Sequence, residues 1–313
     1  VLARRRSALL ARGGNLRDDK YKTMTTAAQW FEGARPRTLG AAVSPVLVGT
    51  AAGVADADGV IWWRFAAALA VALALQVGVN YANDYSDGVR GTDTERRGPL
   101  RLTATGTATP QAVRNAAALA FAVAAVIGLV LSLVVDPWLL LVGVAAIAAA
   151  VLYTGGPVPL GYLGLGELMV LVFFGFVATV GSAYVQVEYV PGAAWWGSLV
   201  VGLLACAILL ANNVRDVPTD TVAGKRTLAV RVGAPAARAL FVACYVGAFV
   251  AVVAIGVTQP WALLGLLAIP LAVEPVRIMR TRSDPPSLVK ALVATARLEL
   301  VLAVLVSVGL CLS

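Results

Sequence analysis

Asn80-Tyr-Ala-Asn83-Asp84-Tyr-Ser-Asp87, running on to Asp93, and Asn212-Asn213-Val-Arg215-Asp216-Val-Pro-Thr-Asp220, running on to Lys225 and Arg226, decide how this chain is read. Each closes a long apolar run, Ile61–Tyr85 in the first case and Ala194–Asn213 in the second. A carboxylate at the end of such a run is costly unless it is paired, hydrated or bound to a cation. Five acids gathered at two such places therefore point to bound metal.

The rest of the chain sets the class. With 59% hydrophobic and 13% charged residues, it does not describe a soluble globule. Read at about 20 residues per span, the apolar stretches fall at Leu39–Val54, Ile61–Tyr85, Ala112–Val135, Trp138–Tyr153, Leu163–Gln186, Ala194–Asn213, Ala237–Val257, Pro260–Ile278 and Leu288–Leu312. The expected fold is all-α, a polytopic membrane protein whose nine transmembrane helices surround a central cavity. The membrane domain is expected over residues 30–313, after a basic cytosolic extension, 1–29, that lacks the apolar core of a secretory signal and is expected to be disordered.

Orientation follows from the basic residues. With the N-terminus in the cytosol, 23 of the 25 Lys and Arg fall on inner segments, which puts both acidic motifs on the cytosolic face. The net charge of +8 is accounted for by this topology and by anionic inner-leaflet lipid, so no nucleic-acid partner is expected. Cys206, Cys244 and Cys311 lie in apolar runs without metal-ligand spacing and read as packing residues. There is no His, which excludes imidazole ligation and a His general base.

Spacing carries the chemistry. Asn80, Asp84 and Asp87 follow i, i+4, i+7, and Asn212, Asp216 and Asp220 follow i, i+4, i+8, so each trio shares a face if its helix continues; Pro218 leaves the last turn of the second open. The two halves also resemble each other: a helix ends in an Asn/Asp cluster, a basic loop follows, and the chain returns, as in a pseudo-symmetric bundle with the clusters facing across a cavity. Mg2+ prefers oxygen ligands and is commonly held by one or two carboxylates together with substrate phosphates. Helix capping would explain either cluster alone. Two clusters, one followed by Arg97 and Arg101 and the other by Lys225 and Arg226, favour a diphosphate site, with inner-face anchoring the alternative role for the four cations.

These residues resemble the UbiA superfamily of intramembrane prenyltransferases. The resemblance rests on Asn80-x-x-x-Asp84-x-x-Asp87 and on Asn212-Asn213-x-Arg215-Asp216-x-x-x-Asp220-x-x-Ala223-Gly-Lys225-Arg226-Thr-Leu-Ala-Val-Arg-x-Gly233, and it spans about Trp30 to the C-terminus. Trp30-Phe-Glu-Gly-Ala-Arg35-Pro-Arg37-Thr38 and Tyr153-Thr-Gly-Gly-Pro157-x-Pro-Leu-Gly161-Tyr162-x-Gly-x-Gly166-Glu167 are similar to the branch acting on 1,4-dihydroxy-2-naphthoate. The 4-hydroxybenzoate branch tends to place an Asp four residues after Asp87, where this chain has Gly91; here the acid is Asp93, a metal ligand or a loop cap.

What the resemblance implies is transfer of a polyprenyl chain from polyprenyl diphosphate to 1,4-dihydroxy-2-naphthoate with loss of the carboxylate, giving demethylmenaquinone. Asp84, Asp87, Asp216 and Asp220 would hold Mg2+ through the diphosphate, and Lys225 and Arg226 would stabilise charge as the allylic bond breaks. Asn80, Asn83, Asn212, Asn213 and Arg215 would complete the substrate-binding surface. Tyr153 and Glu167 are candidates for the aromatic pocket, against an interfacial anchor and a helix-dipole partner respectively. Arg35 and Arg37 are candidates for the acceptor carboxylate, against inner-face anchoring. Transfer to another aromatic acceptor such as 4-hydroxybenzoate is the nearest alternative. A metal-ion transporter would need polar residues through the full depth of the bundle, whereas here they crowd one face.

Overall fold

The computed structural model describes residues 24–55, 57, 59–91, 100–156 and 159–313. Val1–Thr23, Asp93 and Arg97 lie outside the described residues. The chain is helical, with no strand among the described residues. Short α1 (Ala27–Gly33) opens inside the stretch assigned to the extension, on a capping box in which Thr26 and Gln29 satisfy each other's backbone N–H. Then follow α2 (Gly40–Val54), α3 (Trp62–Arg90), α4 (Pro110–Val134), α5 (Leu139–Thr154), α6 (Gly166–Val187), α7 (Gly192–Val222), α8 (Leu228–Val232), α9 (Ala234–Gly256), α10 (Pro260–Thr281) and α11 (Pro285–Leu312).

All nine expected apolar stretches are helical, but their number as spans comes down. Among the described residues seven helices are long and apolar enough to cross a bilayer, and an eighth is reached if the pair Ala27–Thr38 and Gly40–Val54, bent by 53°, counts as one. Within the first member of that pair Arg35 stands at φ 58°, just before Pro36, and separates α1 from a 3-10 turn, Pro36–Thr38. The ninth, α5, has only 16 residues. At 1.5 Å rise it reaches about 24 Å against a hydrocarbon core of about 30 Å.

The bundle closes around α7, of whose apolar stretch 67% is buried. Against it pack α9, α11 and α2, while α6 lies on α2 and α3 pairs with α4. Large apolar side chains left exposed, such as Leu119, Val126 and Leu133 on α4 and Val246, Val250 and Val253 on α9, form a lipid-facing surface. Six of the seven Trp, namely Trp62, Trp63, Trp138, Trp195, Trp196 and Trp261, sit at or near the starts of α3, α5, α7 and α10, and all are exposed. They form an aromatic belt at the end opposite the acidic motifs. There Arg64 pairs with Glu188 at 3.0 Å and the Tyr184 hydroxyl donates to Asp136 Oδ2 at 2.5 Å, a bond that holds the Asp136 carboxyl below its usual range.

Small residues set the closest approaches. A Cβ on Gly49 of α2 would lie 2.1 Å from the Thr179 carbonyl oxygen of α6, whereas one on Gly181 of α6 would meet nothing within 4 Å. Gly49→Ala is therefore expected to destabilise the solubilised protein by about 1–3 kcal/mol, the usual cost of overpacking, and Gly181→Ala by much less. Thermal unfolding in detergent measures both. Equal melting midpoints would contradict the packing described here.

Candidate active site

The site is built where α3 and α7 end. A cavity of ≈ 440 Å³ runs into the bundle from this end, and Gln76, Asn80, Asn83 and Asp87 of α3 line it. At about 100° per residue these four fall within an arc of about 60°, and Asp84 lies about 60° beyond Asp87. Asp84 accordingly does not line the cavity: its carboxylate accepts from the Leu102 N–H at 2.7 Å and the Thr103 N–H at 2.9 Å. From α7 come Asn212, Asn213, Asp216 and Asp220. The helix continues through Pro218 to Val222, which places Asp220 on the cavity wall.

The two motifs meet. Lys225 Nζ donates to Asp87 Oδ1 at 2.9 Å across 138 residues of sequence, and the Tyr162 hydroxyl donates to the same oxygen at 2.9 Å. Arg101 lies 3.8 Å from the other Asp87 oxygen, and the Lys225 ammonium sits 4.7 Å above the Tyr162 ring. Burial pushes the Lys225 ammonium down, but the Asp87 carboxylate outweighs it and holds the group above its usual range. Burial and then the Asp87 charge push the Tyr162 phenol up, so it stays a proton donor.

Other expected site residues divide into lining, supporting and outlying groups. Arg35, Arg101 and Tyr153 line the cavity. Arg215 lies behind the wall, where its guanidinium holds both Asp216 oxygens at 2.7 Å and the Asn212 carbonyl at 2.8 Å. Glu167 is also behind it, accepting from the Asn213 amide at 2.9 Å. Two expectations fail on position: Arg37 and Arg226 are exposed and off the cavity. Arg226 contributes its backbone N–H, which donates to the Tyr162 carbonyl at 3.0 Å, so it supports the site while its side chain points elsewhere.

Tyr162 is the residue that motif reading passed over, since its partner lies 75 positions away. Phe173 and Phe174 also line the cavity from a π-helical stretch of α6, Leu171–Val177. Such stretches recur at functional sites. Away from the polar end the lining is apolar, with small residues such as Ala68 and Ala72 of α3 and Gly143, Ala146 and Ala150 of α5 among larger ones such as Leu75.

Among the described residues no three acidic or Cys side chains converge as a ready-made metal cage. The donor set at the polar end, carboxylate and amide oxygens with no thiolate or imidazole among the described lining residues, nevertheless fits Mg2+, which usually keeps waters and takes only one or two protein carboxylates beside a phosphate.

Known proteins share this arrangement of sequence and fold. The 1,4-dihydroxy-2-naphthoate octaprenyltransferase of Mycobacterium tuberculosis is 46% identical over 91% of this chain and 97% of its own length. The octaprenyltransferase of the same name from Escherichia coli is 36% identical over 91% and 95% respectively. A solved UbiA homolog from Archaeoglobus fulgidus, bound to GPP and Mg2+, shares the fold at a TM-score of 0.66 over 89% of this chain and 99% of its own, with 13% sequence identity. Residues 42–301 match the UbiA prenyltransferase family, and the chain belongs to that family.

Proposed function

We propose that this protein transfers a polyprenyl chain from polyprenyl diphosphate to 1,4-dihydroxy-2-naphthoate with loss of CO2, giving demethylmenaquinol, the two-electron-reduced form of demethylmenaquinone. The observation that carries the reading is the Lys225–Asp87 contact, which joins two polar motifs at one end of a cavity that is otherwise apolar. A diphosphate with a hydrocarbon tail has that same division of polarity. The choice of acceptor is supported by the names of relatives up to 46% identical along most of the chain. Positive-inside charge supports a polar end on the cytosolic side of the cell membrane, with the N-terminus there too.

Each lining residue then has a task. Arg101 and Lys225 receive the diphosphate, and Asp87, Asp216 and Asp220, with Asn83 and Asn212 beside them, face it as oxygen donors. Mg2+ bound there would neutralise the diphosphate and draw charge off the leaving oxygen. When the allylic C–O bond breaks, its electron pair leaves with the diphosphate, and Lys225 meets the growing negative charge. Arg215 keeps the two Asp216 oxygens turned in a fixed direction. Small apolar residues on α3 and α5 hold the tail and exclude water from the cation. The ring carbon bearing the carboxylate attacks, the bond to that carboxylate breaks, and its electrons restore the aromatic ring as CO2 departs.

Two outcomes are expected. Lys225→Gln lowers kcat by about 10²-fold or more, as loss of a group that meets transition-state charge does, while the acceptor's KM stays constant; a selective rise in the acceptor's KM would instead assign Lys225 to the acceptor carboxylate. With carboxyl-labelled naphthoate, one CO2 is released per prenyl group transferred. A prenylated product that keeps its carboxylate, or turnover of 4-hydroxybenzoate with none of the naphthoate, would overturn the acceptor assignment.

A further inference from the structure

Asp84 belongs to the acidic motif by sequence and is separated from it by structure. Its side chain is 1% exposed, and its partners among the described residues are the consecutive backbone N–H groups of Leu102 and Thr103, one to each oxygen. Successive amides of this kind form an anion-binding nest, here filled by the protein's own carboxylate. The fit around it is close. A Cβ on Gly88, one turn on from Asp84, would lie 2.4 Å from the Thr103 methyl, and one on Gly33 would lie 2.7 Å from the Leu102 side chain. Leu102 itself is fully buried, with its carbonyl accepting from the Ala108 N–H at 3.0 Å.

The residue just before this nest is Arg101, whose guanidinium lines the cavity 3.8 Å from Asp87. The geometry points to Asp84 as a positioning residue for the diphosphate site rather than a metal ligand: by clamping the Leu102 and Thr103 amides it fixes where Arg101 meets the donor. An Asn at this position offers one acceptor oxygen, and its NH2 faces the second amide. One buried N–H is left without a partner, and the Arg101 backbone beside it is released. This inference rests on the proposed function, because it takes the anion at Arg101 to be the donor diphosphate.

Three measurements on the purified full-length protein test it. Hydrogen exchange in the 100–108 segment is expected to quicken about tenfold or more in Asp84→Asn, as loss of a charge-assisted bond worth more than about 1.4 kcal/mol requires. Calorimetric titration with inorganic diphosphate at saturating Mg2+ is expected to show about tenfold weaker binding for Asp84→Asn and for Arg101→Gln, with the double variant no weaker than Arg101→Gln alone. The Mg2+ concentration for half-saturation, measured with diphosphate saturating for each variant, is expected to stay at the wild-type value in Asp84→Asn. Unchanged exchange, losses that multiply in the double variant, or a rise in the Mg2+ requirement would each overturn the proposal. Should Asp84→Asn fail to fold, Asp84→Glu keeps the charge but displaces the oxygens by one methylene, and the same three outcomes are expected of it. Wild-type protein that binds no diphosphate would bring down the functional reading and the proposal together; wild-type binding with multiplying losses brings down the proposal alone.

Discussion

An ammonium just beyond the end of α7 and a carboxylate near the end of α3, 2.9 Å apart and both mostly buried, hold the two halves of the polar site in register. Neither charge would be stable at that depth alone, since removing one leaves the other desolvated and unpaired. The pair therefore forces α3 and α7 to end at the same level, and Tyr162, bonded to the same Asp87 oxygen, brings in the chain between α5 and α6. The anion that the family's chemistry requires would enter beside Lys225 and Arg101, where charge is already in place and compensated.

Around that junction the polar residues divide into those that face the cavity and those bonded to a neighbour behind its wall. Asp87, Asp216, Asp220 and Lys225 face the cavity, while Asp84, Arg215, Glu167 and the Arg226 backbone each hold a neighbour in place. The division has a physical basis. Asp84, Asp87, Arg215, Asp216 and Lys225 are buried between helices, where polar groups need partners from the protein, and a site with three acids and three cations on its wall, as here with Arg35, Arg101 and Lys225, keeps its shape only if the shell behind it is fixed. Small residues do the same work further in, where Gly49 lets α2 come up against α6 and Gly175 lies against Gly202 of α7.

Much of this was legible in the sequence because hydropathy and acidic clustering are strong local signals. The all-helical membrane fold, the two motifs and the pairing of both with cationic residues follow from residue type and spacing alone. The span count came out high because α5 is apolar throughout yet only 16 residues long, and α2, with 15, reaches span length only together with the bent segment before it. Asp84 was grouped with Asp87 because i, i+3 spacing places both on one broad side of a helix, and only the position of Leu102 and Thr103 shows that the narrower cavity face excludes it. Arg226 adjoins Lys225 in sequence, but Lys225 is buried on the cavity wall and Arg226 is exposed off it, a difference that adjacency in sequence does not encode. Tyr162 was invisible as a site residue for the same reason: its role is set by a contact 75 positions away.

The central claim is that both motifs grip one diphosphate while the hydrocarbon lies along α3 and α5. Its most direct test is a cryo-EM structure of the protein with Mg2+ and a polyprenyl thiodiphosphate, a donor whose C–S bond resists ionisation. The account predicts diphosphate oxygens within hydrogen-bond distance of both Lys225 and Arg101, and a tail in contact with Ala72 and Ala146. A head group bound at only one motif, or a tail leaving the cavity away from α3 and α5, would contradict it.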